Sequence, residues 1–264
     1  MLPAEVGRYY RQGGERHRLA SGVGRLEFLR TMDLLGRALP TPPARLLDVG
    51  GATGVYAEPL AAAGYEVQLI DPLPEHVAEA KTRPGVTATL GDARALPVAD
   101  ASVDAVLLLG PLYHLLDRAD RVAAWAEARR AVRPGGLVAA ATICRYASLI
   151  DGITRNFVLD PGYGAIVDNV LVDGVHRNTP DGEYFTSAYF HHPDEIPAEV
   201  GDAGLTLVRR VAVEGPLWIM GHGRLDEVWT SEDMTDHLLA ALRRFEDDTS
   251  LLGASSHLLT FARR

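Results

Sequence analysis

The chain of 264 residues is poor in three things: it has one cysteine, no long apolar run and no excess of basic charge. Each absence excludes a class of protein. A single cysteine, Cys144, precludes an internal disulfide framework and any multi-cysteine metal site, and is read as a small buried residue. No apolar stretch approaches the roughly eighteen residues of a membrane span. The first residues, Met1-Leu2-Pro3-Ala4-Glu5, lack the basic and apolar pattern of a secretory signal. The expectation is a cytoplasmic protein without a membrane partner. The formal net charge is −9, and the basic clusters Arg129-Arg130-Arg133, Arg209-Arg210 and Arg243-Arg244 are scattered. Displacing counterions from nucleic-acid phosphates requires a concentrated basic patch, so a small molecule is the expected partner and nucleic acid is not. Repeats and low-complexity tracts are also missing. With 47% hydrophobic residues, the length reads as one elaborated domain over 1–264.

What is present is concentrated in Leu46-Leu47-Asp48-Val49-Gly50-Gly51-Ala52-Thr53-Gly54, an apolar strand that runs into small residues. Residues without bulky side chains let a loop turn with positive φ and bring its N–H groups against a ligand. A helical stretch, Val55 to Ala63, follows. About twenty residues after the turn, Glu66-Val67-Gln68-Leu69-Ile70 ends in Asp71, whose carboxylate is placed to accept hydrogen bonds from ribose hydroxyls. This is a nucleoside-binding βαβ unit. It is not the dinucleotide type: counted from Gly50, the second and third glycines of G-x-G-x-x-G are replaced by Ala52 and Val55, and counted from Gly51 by Thr53 and Tyr56.

The loop resembles motif I of the class I S-adenosylmethionine-dependent methyltransferases, an acidic residue followed by G-x-G-x-G, with Ala52 in place of the middle glycine. Three further features follow in that family's order. Val86 to Leu90 reads as a strand ending in Gly91-Asp92-Ala93; Val103 to Leu109 is an apolar run suited to a doubly buried strand and ends in Gly110-Pro111-Leu112-Tyr113-His114. A helix over 118–132 then gives way at Arg133-Pro134-Gly135-Gly136 to the strand Leu137 to Ile143. The resemblance is close over residues 44 to 143. It implies an α/β fold, a doubly wound, mostly parallel seven-stranded sheet, with S-adenosylmethionine as cofactor and S-adenosylhomocysteine as product. It implies cofactor contacts at Asp48, Gly50, Gly51, Ala52 and Gly54 in the loop and at Asp71 and Pro72 beside the ribose. Asp92 and Ala93 inherit the adenine contacts, and Leu109, Gly110 and His114 lie beside the transferred methyl. It also singles out Tyr9 near the sulfonium and Arg30 on the methionine carboxylate, as cation–π and bidentate pairing allow.

The flanks divide into an N-terminal helical lid (1–43), an inserted lid (144–192) and a C-terminal part of the sheet with a second insertion (193–264) around the cofactor-binding core (44–143). Leu26, Leu29, Met32, Leu35 and Leu39 predict an amphipathic helix over about 25–39. Ile150 to Leu159 reads as a short helix, Asp160-Pro161-Gly162-Tyr163-Gly164 as a turn, Leu205 to Val213 as the sixth strand, and Ser256 to Ala262 as an antiparallel seventh strand beside the fifth. Tyr113, Phe157, Tyr184 and Trp218 are candidates for an aromatic substrate pocket. Of nine histidines, His114 at the carboxyl edge of the fourth strand and His191 at the lid-to-helix junction are the candidate bases; His191-His192 are adjacent on an extended segment and point to opposite faces, which makes them poor joint metal ligands. No metal is expected. The expected activity is methyl transfer to an oxygen, nitrogen or carbon atom of a small molecule, as in secondary metabolism, by a monomer or homodimer. The alternatives are a cofactor-binding protein with other chemistry, such as cyclisation, or an RNA methyltransferase.

Overall fold

The computed structural model describes residues 4–11, 18–178 and 184–264. Five parallel strands form the centre of the sheet: β1 (Arg45–Val49), β2 (Glu66–Asp71), β3 (Val86–Leu90), β4 (Val103–Leu108) and β5 (Val132–Cys144), in the order β3-β2-β1-β4-β5. β4 and the second half of β5 are apolar at almost every position because helices cover both faces. Alternation sends Leu46 and Leu47 of β1 into different cores. Leu46 packs with α2 (Gly22–Ala38), α3 (Ala57–Ala62) and α4 (Pro74–Ala80), while Leu47 packs with α6 (Arg118–Ala131) and α9 (Ile196–Asp202). The remaining helices are α1 (Ala4–Arg11), α5 (Pro111–His114), α7 (Ala147–Thr154), α8 (Pro161–Asp173), α10 (Gly221–Val228) and α11 (Glu232–Leu242).

The sheet is completed by β9 (His257–Arg263), antiparallel to β5 over Leu137 to Ile143, and by β8 (Thr206–Ala212), antiparallel to β9. Two further short strands extend it. β6 (Val175–His176) and β7 (Ala188–His191) pair with each other, and β7 pairs parallel with Ile143 and Cys144 at the tip of β5. Because β9 holds one edge of Ile143, β7 takes the edge beyond the point where β4 has ended, and the inserted lid is stitched into the sheet.

Two expectations for the insertions are corrected. Asp160-Pro161-Gly162 does not make a free turn but starts α8: Asp160 is the N-cap and accepts a hydrogen bond from Gly162 N at 2.7 Å, with Pro161 in the first helical turn. Turn-forming residues are also helix-starting residues. The stretch read as a helix from Ile150 to Leu159 begins earlier, as α7, and breaks at Asn156, whose φ is +61°, before a 3₁₀ turn at Phe157–Leu159. Near the start of β5, the expected Arg133-Pro134-Gly135-Gly136 turn survives as an irregularity in the strand, with Gly135 at φ +75° and a register break opposite Val103 and Ala105.

Candidate active site

The carboxyl ends of β1 to β4 open onto a cavity of about 880 Å³, where ligands of open α/β sheets bind. Its floor is the loop after β1. Gly50 has φ +70°, and a Cβ on it would come within 3.0 Å of Pro111 Cδ. A Cβ on Gly51 would lie 2.4 Å from Asp48 Oδ2, so glycine is required there by space. Ala52 adopts φ +49°, a conformation held by its N–H, which donates to Asp71 Oδ2 at 3.0 Å. An alanine at positive φ costs about 1–2 kcal/mol, so Ala52→Gly should raise stability by about 1 kcal/mol in urea unfolding, less the entropy glycine adds to the unfolded chain.

Asp71, at the end of β2, ties this loop to the next. Besides Ala52 N it accepts from Leu73 N at 2.9 Å and pairs with His76 Nδ1 at 3.0 Å, while its carboxylate still borders the cavity. Asp71→Ala removes both the loop anchor and an acceptor facing the ligand. At about 1.5–3 kcal/mol for hydrogen bonds to a charged group, we expect cofactor affinity to fall ten- to a hundredfold in calorimetry with the fold retained. Unchanged affinity in a folded variant would remove Asp71 from the ligand contacts.

Asp48 is fully buried on the cavity floor, and neither carboxylate oxygen has a hydrogen-bond partner among the described residues. Burial first and the Asp71 charge second push it up to about 7. A buried carboxylate left without donors beside an open cavity calls for a donor from the ligand. At the β3 edge, Asp92 is held by Arg94, which donates from Nε at 2.9 Å and Nη2 at 2.7 Å, and this pairing lowers the carboxyl to about 2. Arg94 also reaches Asp120 at 2.7 Å. Pro72, Ala93, Leu109, Gly110 and Tyr113 all line the same cavity.

His114 forms part of the wall. Its Nε2 and the Tyr10 hydroxyl are 2.7 Å apart, its Nδ1 is buried without a partner among the described residues, and burial pulls the imidazole down to about 3. The ring is therefore neutral at physiological pH. Tyr10, on α1, also meets His76 edge-on at 5.6 Å between centroids. Tyr9 was the tyrosine singled out from the sequence; its side chain lies outside the described residues, and its neighbour is the one placed over the cavity.

Several other expected site residues are elsewhere. Arg30, on α2, is fully buried and donates to Val213 O, Asp33 and Glu246 at 3.0, 2.6 and 2.9 Å, which leaves its guanidinium committed away from the cavity. His191 is fully buried between β7 and α9, where Nε2 lies 3.3 Å from Glu199 Oε2, itself paired with Arg121 at 2.8 Å. Gly54 faces Arg83 and α4 rather than the cavity; its N–H closes the turn onto Gly51 O at 2.9 Å. Trp218 packs with Leu26 and Leu225 and donates from Nε1 to Ala254 O at 2.8 Å. Phe157 and Tyr184 stack edge-on with each other, 5.3 Å between centroids, around a separate shallow depression on the lid.

The structure adds wall residues that the motifs did not disclose, Glu27, Tyr56 and Arg94, and brings Tyr10 and Arg18, from the N-terminal stretch expected to form a flap over the cofactor, to the same cavity. Glu27 lies on the helix expected over 25–39, whose apolar stripe was legible but whose polar face carries no spacing that distinguishes a buried carboxylate from a solvated one. Among the described residues no helix is long and apolar enough to cross a membrane.

Comparison with known proteins agrees with this geometry. The family described as "Methyltransferase domain" matches residues 46–136, the segment from β1 to the start of β5. A ubiquinone biosynthesis O-methyltransferase of Methylobacterium nodulans is 32% identical over 183 residues, covering 67% of this chain and 66% of that protein. A demethylmenaquinone methyltransferase of Beutenbergia cavernae is 38% identical over 119 residues, 45% of this chain and 47% of that protein. The chain thus spans just under two thirds of the first of these relatives and about half of the second. Among solved structures, a SAM-dependent methyltransferase from Methanosarcina mazei superposes with a TM-score of 0.60 at 16% identity, over 88% of this chain and 96% of that one, a likeness of fold.

Proposed function

Because the chain belongs to the class I S-adenosylmethionine-dependent methyltransferases, we propose that it transfers the methyl group of that cofactor to a nucleophilic atom of a small molecule. The observation that carries this reading is the single cavity of about 880 Å³ that joins the cradle at Gly50, Asp71 and Asp92 to an aromatic end at Tyr56 and Tyr113. Its volume is near the upper end for small-molecule sites, as a site for two reactants requires. Oxygen is the favoured acceptor atom, on a hydroxylated aromatic ring. The aromatic side chains at that end and the name of one relative, a ubiquinone biosynthesis O-methyltransferase, support it.

The chain's residues fit the cofactor. Asp48 offers an unsatisfied carboxylate to an ammonium, Asp71 offers acceptors to ribose hydroxyls, and Gly50 and Gly51 keep the floor free of side chains. When bound, S-adenosylmethionine would supply an electrophilic methyl carbon attached to a sulfonium that can leave as a neutral thioether. Tyr10 and His114 close one wall, and orientation of the two reactants accounts for most of the acceleration such a displacement needs. His114, neutral and hydrogen-bonded to Tyr10, holds that wall rather than a proton.

The test is calorimetry with S-adenosylhomocysteine, followed by assay of methyl transfer from labelled cofactor to hydroxylated aromatic acceptors. Binding together with methylated product and stoichiometric S-adenosylhomocysteine is expected. Binding with a converted acceptor and no transferred label would replace this reading with non-transfer chemistry, and tight, steeply salt-dependent RNA binding would replace the small-molecule acceptor.

A further inference from the structure

Across the sheet from Asp71 and Asp92, three ionisable side chains from different elements converge: Glu27 on α2, Glu214 after β8 and His257 at the start of β9. One ligand atom of each lies within 4.8 Å of the others. The register that pairs Ile143 with His257 sets the group at the carboxyl end of β5. His257 Nδ1 is 2.6 Å from Glu214 Oε1 and 3.8 Å from Glu27 Oε2. Glu214 is fully buried and also accepts from Ser255 Oγ and His257 N, each at 2.9 Å. Arg18 grips both oxygens of Glu27. Of the three, Glu27 is the one that borders the cavity, near Tyr56 and Tyr113.

A divalent cation is not what this cluster demands. Although burial works against it, the Glu27 and Glu214 carboxylates hold His257 as an imidazolium, up to about 9. With Arg18 the group carries two positive and two negative charges and balances itself. Burial alone would raise the Glu27 carboxyl, yet Arg18 and His257 bring it below the ordinary value, so it faces the cavity as an anion. A carboxylate gripped by one guanidinium retains lone pairs for a further donor.

We propose that Glu27 is the residue that receives the proton of the acceptor, an aromatic hydroxyl, with Arg18 and His257 as positioning residues that keep its carboxylate ionised and aimed into the cavity. As the acceptor oxygen bonds to carbon, its O–H bond breaks, the pair remains on oxygen and the proton passes to a Glu27 Oε. The ionisable groups facing Glu27 are Arg18 from the segment before α2, His257 of β9, Glu214 after β8 and Tyr56 before α3. The inference rests on the methyl-transfer reading above and gives its acceptor site a chemical class.

The test uses 4-nitrocatechol, a coloured hydroxylated ring, titrated into the S-adenosylhomocysteine complex of wild type, Glu27→Gln and Glu27→Asp, with absorbance as the readout. Wild type is expected to bind the probe and Glu27→Gln to bind it at least tenfold more weakly, with Glu27→Asp between them and S-adenosylhomocysteine affinity within twofold in all three. In wild type labelled with carboxyl ¹³C-glutamate, the Glu27 resonance should move on probe addition, a measurement that stands even where Glu27→Gln fails to fold. In Glu27→Gln the His257 imidazole should titrate lower than in wild type, since one of its two carboxylates has lost its charge. Equal probe affinity in wild type and Glu27→Gln, an unmoved Glu27 resonance, or no probe binding by an otherwise intact wild-type complex overturns the proposal alone. Failure of wild type to bind S-adenosylhomocysteine overturns the methyl-transfer reading and this inference with it.

Discussion

Replacing Glu246 by alanine is expected to destabilise the protein by about 3–5 kcal/mol, the scale for breaking a buried ion pair. Glu246 binds Arg30 at 2.9 Å, Arg37 at 2.7 Å and Arg209 at 3.2 Å, and Arg30 is fully buried. Removing the carboxylate leaves the Arg30 guanidinium inside the protein with Asp33 as its remaining acidic partner, at 2.6 Å. Unfolding in urea measures the loss. Calorimetry with S-adenosylhomocysteine on the folded variant should show affinity within about twofold of wild type, because this network lies away from the cavity. A large loss of affinity with little loss of stability would return Arg30 to the cofactor contacts that the family resemblance implied.

The second large effect is a pH dependence centred on Asp48. Its carboxyl, raised from 3.8 to about 7 by burial and by Asp71, keeps its proton in the folded protein over a range where the unfolded chain has released it. Stability contributed by this group therefore falls as pH rises from about 4 to about 7 and stays low above that. At about 1.4 kcal/mol per unit the whole swing is up to about 4 kcal/mol. Urea unfolding of the cofactor-free protein at pH 5 and pH 8, compared with Asp48→Asn, isolates the contribution; the variant should lose most of the difference. A cationic ligand group beside Asp48 favours the ionised form, so binding of S-adenosylhomocysteine at pH 6 should release a proton, seen as a heat that varies with the buffer's ionisation enthalpy. Identical pH profiles for wild type and Asp48→Asn would show that Asp48 ionises normally.

The central sheet was legible because its signals are local and redundant. Leu46 to Gly54, Val86 to Ala93 and Val103 to His114 each open on a largely apolar or β-branched strand that runs into small or turn residues, and β8 and β9 fall where the sixth and seventh strands were expected. The resemblance brought Asp48, Asp71, Asp92 and His114 to one cavity because each follows a strand of fixed order. The misassigned residues lacked such an anchor. Arg30 is held by Glu246, 216 residues along the chain, and His191 by Glu199, which is itself held by Arg121 from 78 residues away. Phe157, Tyr184 and Trp218 were chosen as aromatics in insertions, and aromatic residues satisfy a local cluster as readily as a pocket. Glu27 is separated from Glu214 and His257 by most of the chain, and the three meet through the antiparallel return of β9, which no short-range pattern encodes.

The 2.4 Å that a Cβ on Gly51 would leave to Asp48 Oδ2, with 2.7 Å to Leu69 Cδ1, makes positions 48 and 51 a single unit of heredity. A larger residue at 51 displaces the carboxylate at 48 and meets Leu69. Any descendant of this chain that enlarges 51 must shrink or move the side chain at 48 in the same step or pass through an intermediate with a blocked floor. Sequence variation around the loop should therefore collect at 52 and 53, where Ala52 already marks a tolerated departure, and leave the 48/51 pair fixed.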